Sequence, residues 1–186
     1  MANPVQKMPL QANEFLSWVT EQPIRYEFID GDTFAMAGAE DRHVMIAGNA
    51  YMALRNHLRG SPCRTFMSDM FVQADEVNSL LLPDVMVTCS AKDTEDRLVK
   101  REPTLVIEVL SKSTAAYDRG DKFQKYRTLQ SLKEYVLIDP IGPTTDVYRK
   151  GDDGLWVLHP FSKGQAIQLA SVYLDIQSED LFAEAD

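Results

Sequence analysis

The sequence predicts one α/β domain, and three observations predict it. Short apolar runs rich in Val, Ile and Leu, at Leu80–Val87, Thr104–Leu110 and Glu134–Pro140, have the length of buried strands rather than helices. Longer stretches with apolar residues three and four apart, at Glu40–Arg59 and Ser113–Gln130, have helical spacing. With 186 residues, 45% hydrophobic and 25% charged, the chain has the size and composition of one ordinary globular domain. It shows no internal repeat, low-complexity segment or linker, so residues 1–186 are taken as a single unit.

Met1–Leu10 holds two prolines and no apolar core segment, so it is not expected to be a signal peptide. Gln11–Gln22 carries Phe15, Trp18 and Val19 at helical spacing, with Asn13 as a candidate cap. Arg25–Met36 reads as two strands around an Asp30-Gly31 hairpin turn. Within it Glu27 alternates with Tyr26 and Phe28 and, taken alone, would face solvent.

Glu40–Arg59 is the clearest helix. Val44, Ile46, Ala47, Ala50, Tyr51, Leu54 and Leu58 form its apolar face, and Gly48 is a tolerated flaw or a point of close packing. His43 in its first turn could face a substrate groove but is read as a surface residue, and His57 in its last turn is favoured by the helix dipole. Cys63–Phe66 and Met70–Gln73 follow as short strands, and Asp75–Ser79 turns the chain into the Leu80–Val87 run. Lys92–Glu102 is a densely charged stretch expected to be solvated and mobile. Pro103 opens the next strand, where its missing N–H does least harm.

In Ser113–Gln130, Phe123, Tyr126 and Leu129 form a core-facing stripe bordered by Lys122, with Lys125 nearby. Thr145–Arg149 and Leu155–Leu158 form a hairpin, Gly164–Leu169 an edge strand, and Ser178–Ala185 a C-terminal helix. Two cysteines, Cys63 and Cys89, do not make a disulfide framework in a chain this long. Cys89 is read as a buried filler and a reducing cytoplasm as the compartment. No apolar run approaches membrane-spanning length.

The chemistry concentrates between Leu80 and Lys125. Asp84 follows Pro83 in one apolar run and Glu108 stands inside another. A carboxylate in a buried strand is costly unless its charge is compensated, and hard carboxylate oxygens suit Mg2+. Either acid alone would be read as a turn residue or a strand end reaching water. The pair, with a lysine brought alongside by the following helix, points to a metal site.

The net charge of 19 − 28 = −9 counts against a general nucleic-acid binder. The distribution is uneven, however. Arg119, Lys122, Lys125, Arg127 and Lys133 cluster, whereas the stretch from about 171 to 186 carries Asp175, Glu179, Asp180, Glu184 and Asp186 and no Lys or Arg.

Tyr26–Gly31, Pro83–Val85, Ile107–Thr114, Asp118 through Lys122 to Tyr126, and Glu134–Pro140 resemble, in this order, the Uma-two family of restriction-endonuclease-type domains, grouped with the PD-(D/E)xK nuclease superfamily. The resemblance spans roughly residues 15 to 160. It implies a restriction-endonuclease-like fold, a mixed central β-sheet flanked by α-helices. It further implies metal-dependent cleavage of nucleic acid, DNA favoured, by Asp84, Glu108 and Glu27 holding Mg2+ (or Mn2+). The superfamily places a lysine two residues after the glutamate, where this chain has Leu110. The resemblance supplies Lys122 instead, from the following helix, with Lys125 as the fallback. Arg119, Lys125 and Arg127 would contact the phosphodiester backbone. A catalytically silent binding module on the same fold, a small-substrate phosphodiesterase, and a homodimer all stay open.

Overall fold

The computed structural model describes residues 11–185; the reading of Met1–Leu10, and Asp186 of the acidic stretch, lie outside the described residues. Helix α1 (Ala12–Val19) starts at Gln11. The Gln11 N–H donates to the Glu14 carboxylate at 2.8 Å, so Gln11 rather than Asn13 is the cap. Strands β1 (Tyr26–Ile29) and β2 (Asp32–Ala35) are joined by Asp30 (φ 53°) and Gly31 (φ 91°), the two positive φ angles that a tight hairpin turn of this hand requires.

Helix α2 (Asp41–His57) follows, then β3 (Arg64–Met67), β4 (Phe71–Ala74), β5 (Ser79–Leu81), β6 (Val85–Thr88), β7 (Val99–Lys100) and β8 (Pro103–Val109). Next come α3 (Ala115–Arg119), α4 (Asp121–Tyr126), β9 (Glu134–Asp139), β10 (Thr144–Lys150) and β11 (Trp156–Phe161). The chain closes with β12 (Ile167–Leu169), β13 (Leu174–Ile176) and α5 (Ser178–Leu181).

A six-stranded sheet runs in the order β11-β10-β9-β8-β6-β3, antiparallel except for the β8–β9 pair. A second sheet runs β2-β1-β5-β4-β7, with only β4–β7 parallel. The fold is thus a mixed α/β arrangement. Helix α2 lays Ile46, Ala50 and Leu54 on one face of the larger sheet, against Val85, Leu105, Ile107 and Val136. The opposite face, through Met86, Val106, Leu110 and Tyr135, meets Phe123 and Tyr126 of α4 together with Ile29, Val72 and Leu81 of the smaller sheet. Phe15 of α1 covers the far side of that smaller sheet, on Phe28, Phe71 and Leu80.

Several expectations change. The Leu80–Val87 run is not one strand: β5 and β6 belong to different sheets, and the chain crosses between them at Leu82–Asp84. Pro83 has no N–H to continue a ladder, so the crossing falls there. Ser113–Gln130 is not one helix but two, divided at Gly120 (φ −115°, ψ −100°). Lys92–Glu102 is not a mobile loop. Asp93 and Lys100 are buried. The Asp93 carboxylate accepts from Thr88 Oγ1 (2.6 Å) and Arg101 N (2.8 Å), and the Lys100 ammonium donates to the Asp93 carbonyl (2.9 Å).

The acidic stretch from 171 onward is not a tail. Val172, Ile176, Leu181 and Ala185 pack into the α2 core, and the stretch expected as an edge strand forms a separate β12–β13 ribbon. Val44 is half exposed rather than part of the apolar face. Cys63 and Cys89 form a disulfide, one residue beyond the Arg64–Thr88 pair that ends the β3–β6 ladder. Cys89 is therefore no lone filler, and cysteine usage no longer argues for a reducing compartment. Among the described residues no helix is long and apolar enough to cross a membrane.

The α3–α4 break depends on close approach at one glycine: a Cβ on Gly120 would sit 3.1 Å from the Ala116 carbonyl oxygen. Gly120→Ala is expected to lose about 1–3 kcal/mol through overpacking, read as a lower midpoint in chemical denaturation; an unchanged midpoint would show that the helix pair simply shifts to accommodate the methyl.

Candidate active site

Strand alternation aims the first acid. In β1, Tyr26 and Phe28 face α1, so Glu27 and Ile29 face the layer between the two sheets. Glu27 is 6% exposed, which overturns the solvent-facing reading; both faces of β1 are covered. In β8 the same rule puts Glu108, 3% exposed, on the face shared by Val106 and Leu110. Asp84 immediately precedes β6. The Val85–Ile107 pairing, continued by one residue, sets it across from Glu108. Its Oδ2 accepts the Val109 N–H at 2.8 Å.

The Gly120 break starts α4 afresh, and its Lys122, 4% exposed, enters between these acids. The ammonium lies 2.9 Å from Glu108 Oε1, 3.1 Å from Glu27 Oε1 and 4.0 Å from Asp118 Oδ1, and it donates to the Leu82 carbonyl at 3.4 Å. The Tyr126 hydroxyl donates to Glu108 Oε1 (3.1 Å) and the Leu82 N–H to Glu27 Oε1 (2.9 Å). The Leu82–Asp84 crossing therefore serves all three predicted acids.

One ammonium faces three carboxyl groups, Glu108, Glu27 and Asp118, and the imbalance appears in the ionisation of Glu108 and Asp118. Burial drives the Glu108 carboxyl well above its usual range despite Lys122, and Asp84, Asp118 and Glu27 add to the effect. Burial likewise raises Asp118, against the pull of Lys122. Burial alone would lower Lys122, but Glu108 and Glu27 outweigh it and hold the ammonium charged.

Of the predicted residues, Glu27, Asp84, Glu108 and Lys122 come together. Arg119, Lys125 and Arg127 do not join them. Arg119 pairs with Asp146 at 2.6 Å, Lys125 with Asp30 at 3.0 Å, and the Arg127 guanidinium lies 5.2 Å from the centre of the Phe123 ring. Leu110 is buried in the Phe123–Tyr126 cluster, so the position two after Glu108 is filled by packing.

Sequence reasoning missed three participants. His43, read as a surface residue, places Nε2 3.1 Å from Asp84 Oδ2, with its side chain only 17% exposed. Burial would lower its pKa, but the hydrogen bond and charge of Asp84 and the Val109 backbone raise it. The signal was available: His43 shares a helical stripe with Ala47, Ala50 and Leu54, all buried. Asp118 stands four residues before Lys122, a spacing that pairs side chains. Tyr126 was read as core only, without its hydroxyl.

Among the described residues no three His, Cys, Asp or Glu side chains converge as ligands. Mg2+ needs fewer, since one or two carboxylates with waters or substrate phosphate commonly suffice. Asp84 and Glu108 fit that requirement. Each uses one oxygen, Oδ2 and Oε1 respectively, in the bonds given above, and the surrounding charge is short of cations. The Tyr117 hydroxyl supports the fit: it is buried with no hydrogen-bond partner among the described residues and lies in the field of Glu27, Lys122 and Glu108.

Removing one partner of such a cluster leaves the others uncompensated. Lys122→Met is expected to cost about 3–5 kcal/mol, whereas Lys122→Met combined with Glu27→Gln and Glu108→Gln should recover much of the loss in denaturant titrations. The raised Glu108 carboxyl favours folding fully below its unfolded value near 4.5, and this contribution is lost as pH rises through the folded value. Glu108→Gln is permanently neutral, so its stability relative to wild type should rise from about pH 4 toward neutrality; a pH-independent difference would mean Glu108 is not shifted upward.

A family model described as "Putative restriction endonuclease" matches residues 12–179. Two uncharacterized proteins of Synechocystis sp. are similar. One, slr1290, is 34% identical over 173 residues, covering 93% of this chain and 91% of that protein. The other, sll1609, is 34% identical over 151 residues, covering 80% and 85%. A crystal structure from Anabaena variabilis, described as "a putative nuclease belonging to DUF820", superposes with a TM-score of 0.79 at 18% identity, over 96% of this chain and 100% of that one, and so shares its fold. The chain belongs to the Uma2 family.

Proposed function

We propose that this Uma2-family chain is a metal-dependent endonuclease that hydrolyses phosphodiester bonds of DNA, with Mg2+ as its cofactor and Mn2+ as a substitute. The observation that carries the reading is the cross-strand pair Asp84–Glu108 with the Lys122 ammonium 2.9 Å from Glu108. Asp84 and Glu108 would hold the ion. When bound, it would lower the pKa of a water and offset charge on the scissile phosphate.

Lys122 keeps its proton and stands beside Glu108, where its charge can orient the attacking water or neutralise the phosphorane oxygens. Glu27 acts mainly on Lys122: its Oε1 already receives the Leu82 N–H and the ammonium, so it holds the lysine in place and would be only a secondary ligand of the ion. Arg119 and Lys125 would exchange Asp146 and Asp30 for backbone phosphates, with Arg127 beside them. The cytoplasm, where DNA is accessible, is the location this reading implies.

One observation favours a second reading, a silent binding module: Lys122 already compensates Glu27 and Glu108 without any metal. Supercoiled plasmid and a chromogenic phosphodiester, each incubated with Mg2+ or Mn2+, separate the readings. Nicking of plasmid that EDTA stops, and that Asp84→Asn and Glu108→Gln each lower by about 10²–10³-fold, is the expected result. Turnover of the small diester alone points to a small-substrate enzyme. No turnover of either, with no Mn2+ uptake by calorimetry, establishes the silent module.

A further inference from the structure

His43 has no part in the chemistry proposed above, yet it is built into the same site. It rises from the first turn of α2, on the opposite side of the large sheet from Lys122. Its Nε2 meets Asp84 Oδ2 at 3.1 Å, and that same oxygen accepts the Val109 N–H at 2.8 Å. The Val109 backbone also lies beside the imidazole and helps to raise its pKa. Asp84 Oδ2 is thus held between His43 and the end of β8.

Asp84 immediately precedes β6, and its carbonyl accepts the Ser68 N–H at 3.0 Å, so its backbone is anchored while its carboxylate is aimed by the contacts of Oδ2. Glu108, by contrast, is set inside β8 and is gripped by Lys122 and Tyr126. Among the described residues, His43 is the side chain bonded to Asp84. With Oδ2 occupied by two donors, rotation about the carboxylate is restricted.

We propose that His43 is a positioning residue: it holds Asp84 Oδ2 so that the carboxylate presents its other oxygen to a divalent cation shared with Glu108. The inference rests on the metal-dependent reading above. Outer partners of this kind commonly set metal affinity by about 10–100-fold. The role needs a donor at the position of Nε2 and nothing else of the imidazole, which separates it from direct ligation and from simple packing.

The test is Mn2+ calorimetry on the intact chain, with denaturant melts run in parallel. His43→Leu keeps the bulk and removes the donor; His43→Gln places an amide N–H near the Nε2 position. The expected result is an affinity loss of about 10–100-fold in His43→Leu with recovery toward wild type in His43→Gln, both variants remaining folded. Wild-type affinity in His43→Leu overturns the positioning role. Equal losses in both folded variants overturn it in favour of an imidazole that ligates the ion itself. Should His43→Leu fail to fold, His43→Gln decides: near-wild-type affinity supports the role and a large loss overturns it. Wild-type protein that takes up no Mn2+ overturns the metal reading, and this inference with it, and is distinct from every outcome in which only the variants differ.

Discussion

The Lys122 ammonium, buried between Glu27 and Glu108, is the interaction on which the rest of the structure depends. It joins a strand of the small sheet, a strand of the large sheet and a helix by a single charge. Removing three charged groups from water is costly, and their mutual attraction repays this only when geometry is good and remaining lone pairs are satisfied. Here the Leu82 N–H, the Leu82 carbonyl and the Tyr126 hydroxyl supply those further bonds. An apolar cluster of the same size would not demand such bonds.

Two breaks in regular structure make that contact geometrically available. Pro83 ends one ladder and lets the chain leave the small sheet, which brings the Leu82 peptide groups and Asp84 to the seam between the sheets. Gly120 ends α3 and restarts the helix as α4, turning Lys122 inward beside Phe123 and Tyr126. Neither break adds a functional side chain of its own. Both decide where the neighbouring ones point.

The arrangement also accounts for the missing strand lysine. Leu110 fills its position with packing, in contact with the cluster that includes Tyr126. The cation beside Glu108 comes instead from the helix on the same face of the sheet. The local excess of carboxyl groups survives this exchange, and it is what leaves the site short of positive charge.

Much of this was legible in the sequence. The Asp30-Gly31 turn, the buried β8 and β9, the α2 stripe and the acids in apolar surroundings all follow from local rules, because turn geometry and side-chain periodicity act within a few residues. The same rules named Asp84, Glu108 and Lys122 as candidates, though the choice of Lys122 rested on family resemblance. Tertiary structure decided the rest. Whether Glu27 faces water or the seam depends on what covers the second face of β1, and no property of β1 records that. Cys63 and Cys89 become opposed only because β3 pairs with β6. His43 becomes a partner of Asp84 only because α2 lies across the ends of β6 and β8; its position on a buried stripe was visible, but the acid waiting there was 41 residues away in a segment whose path Pro83 had redirected. Local sequence sets which way a side chain points from its own element, and only the packing of elements determines what it points at.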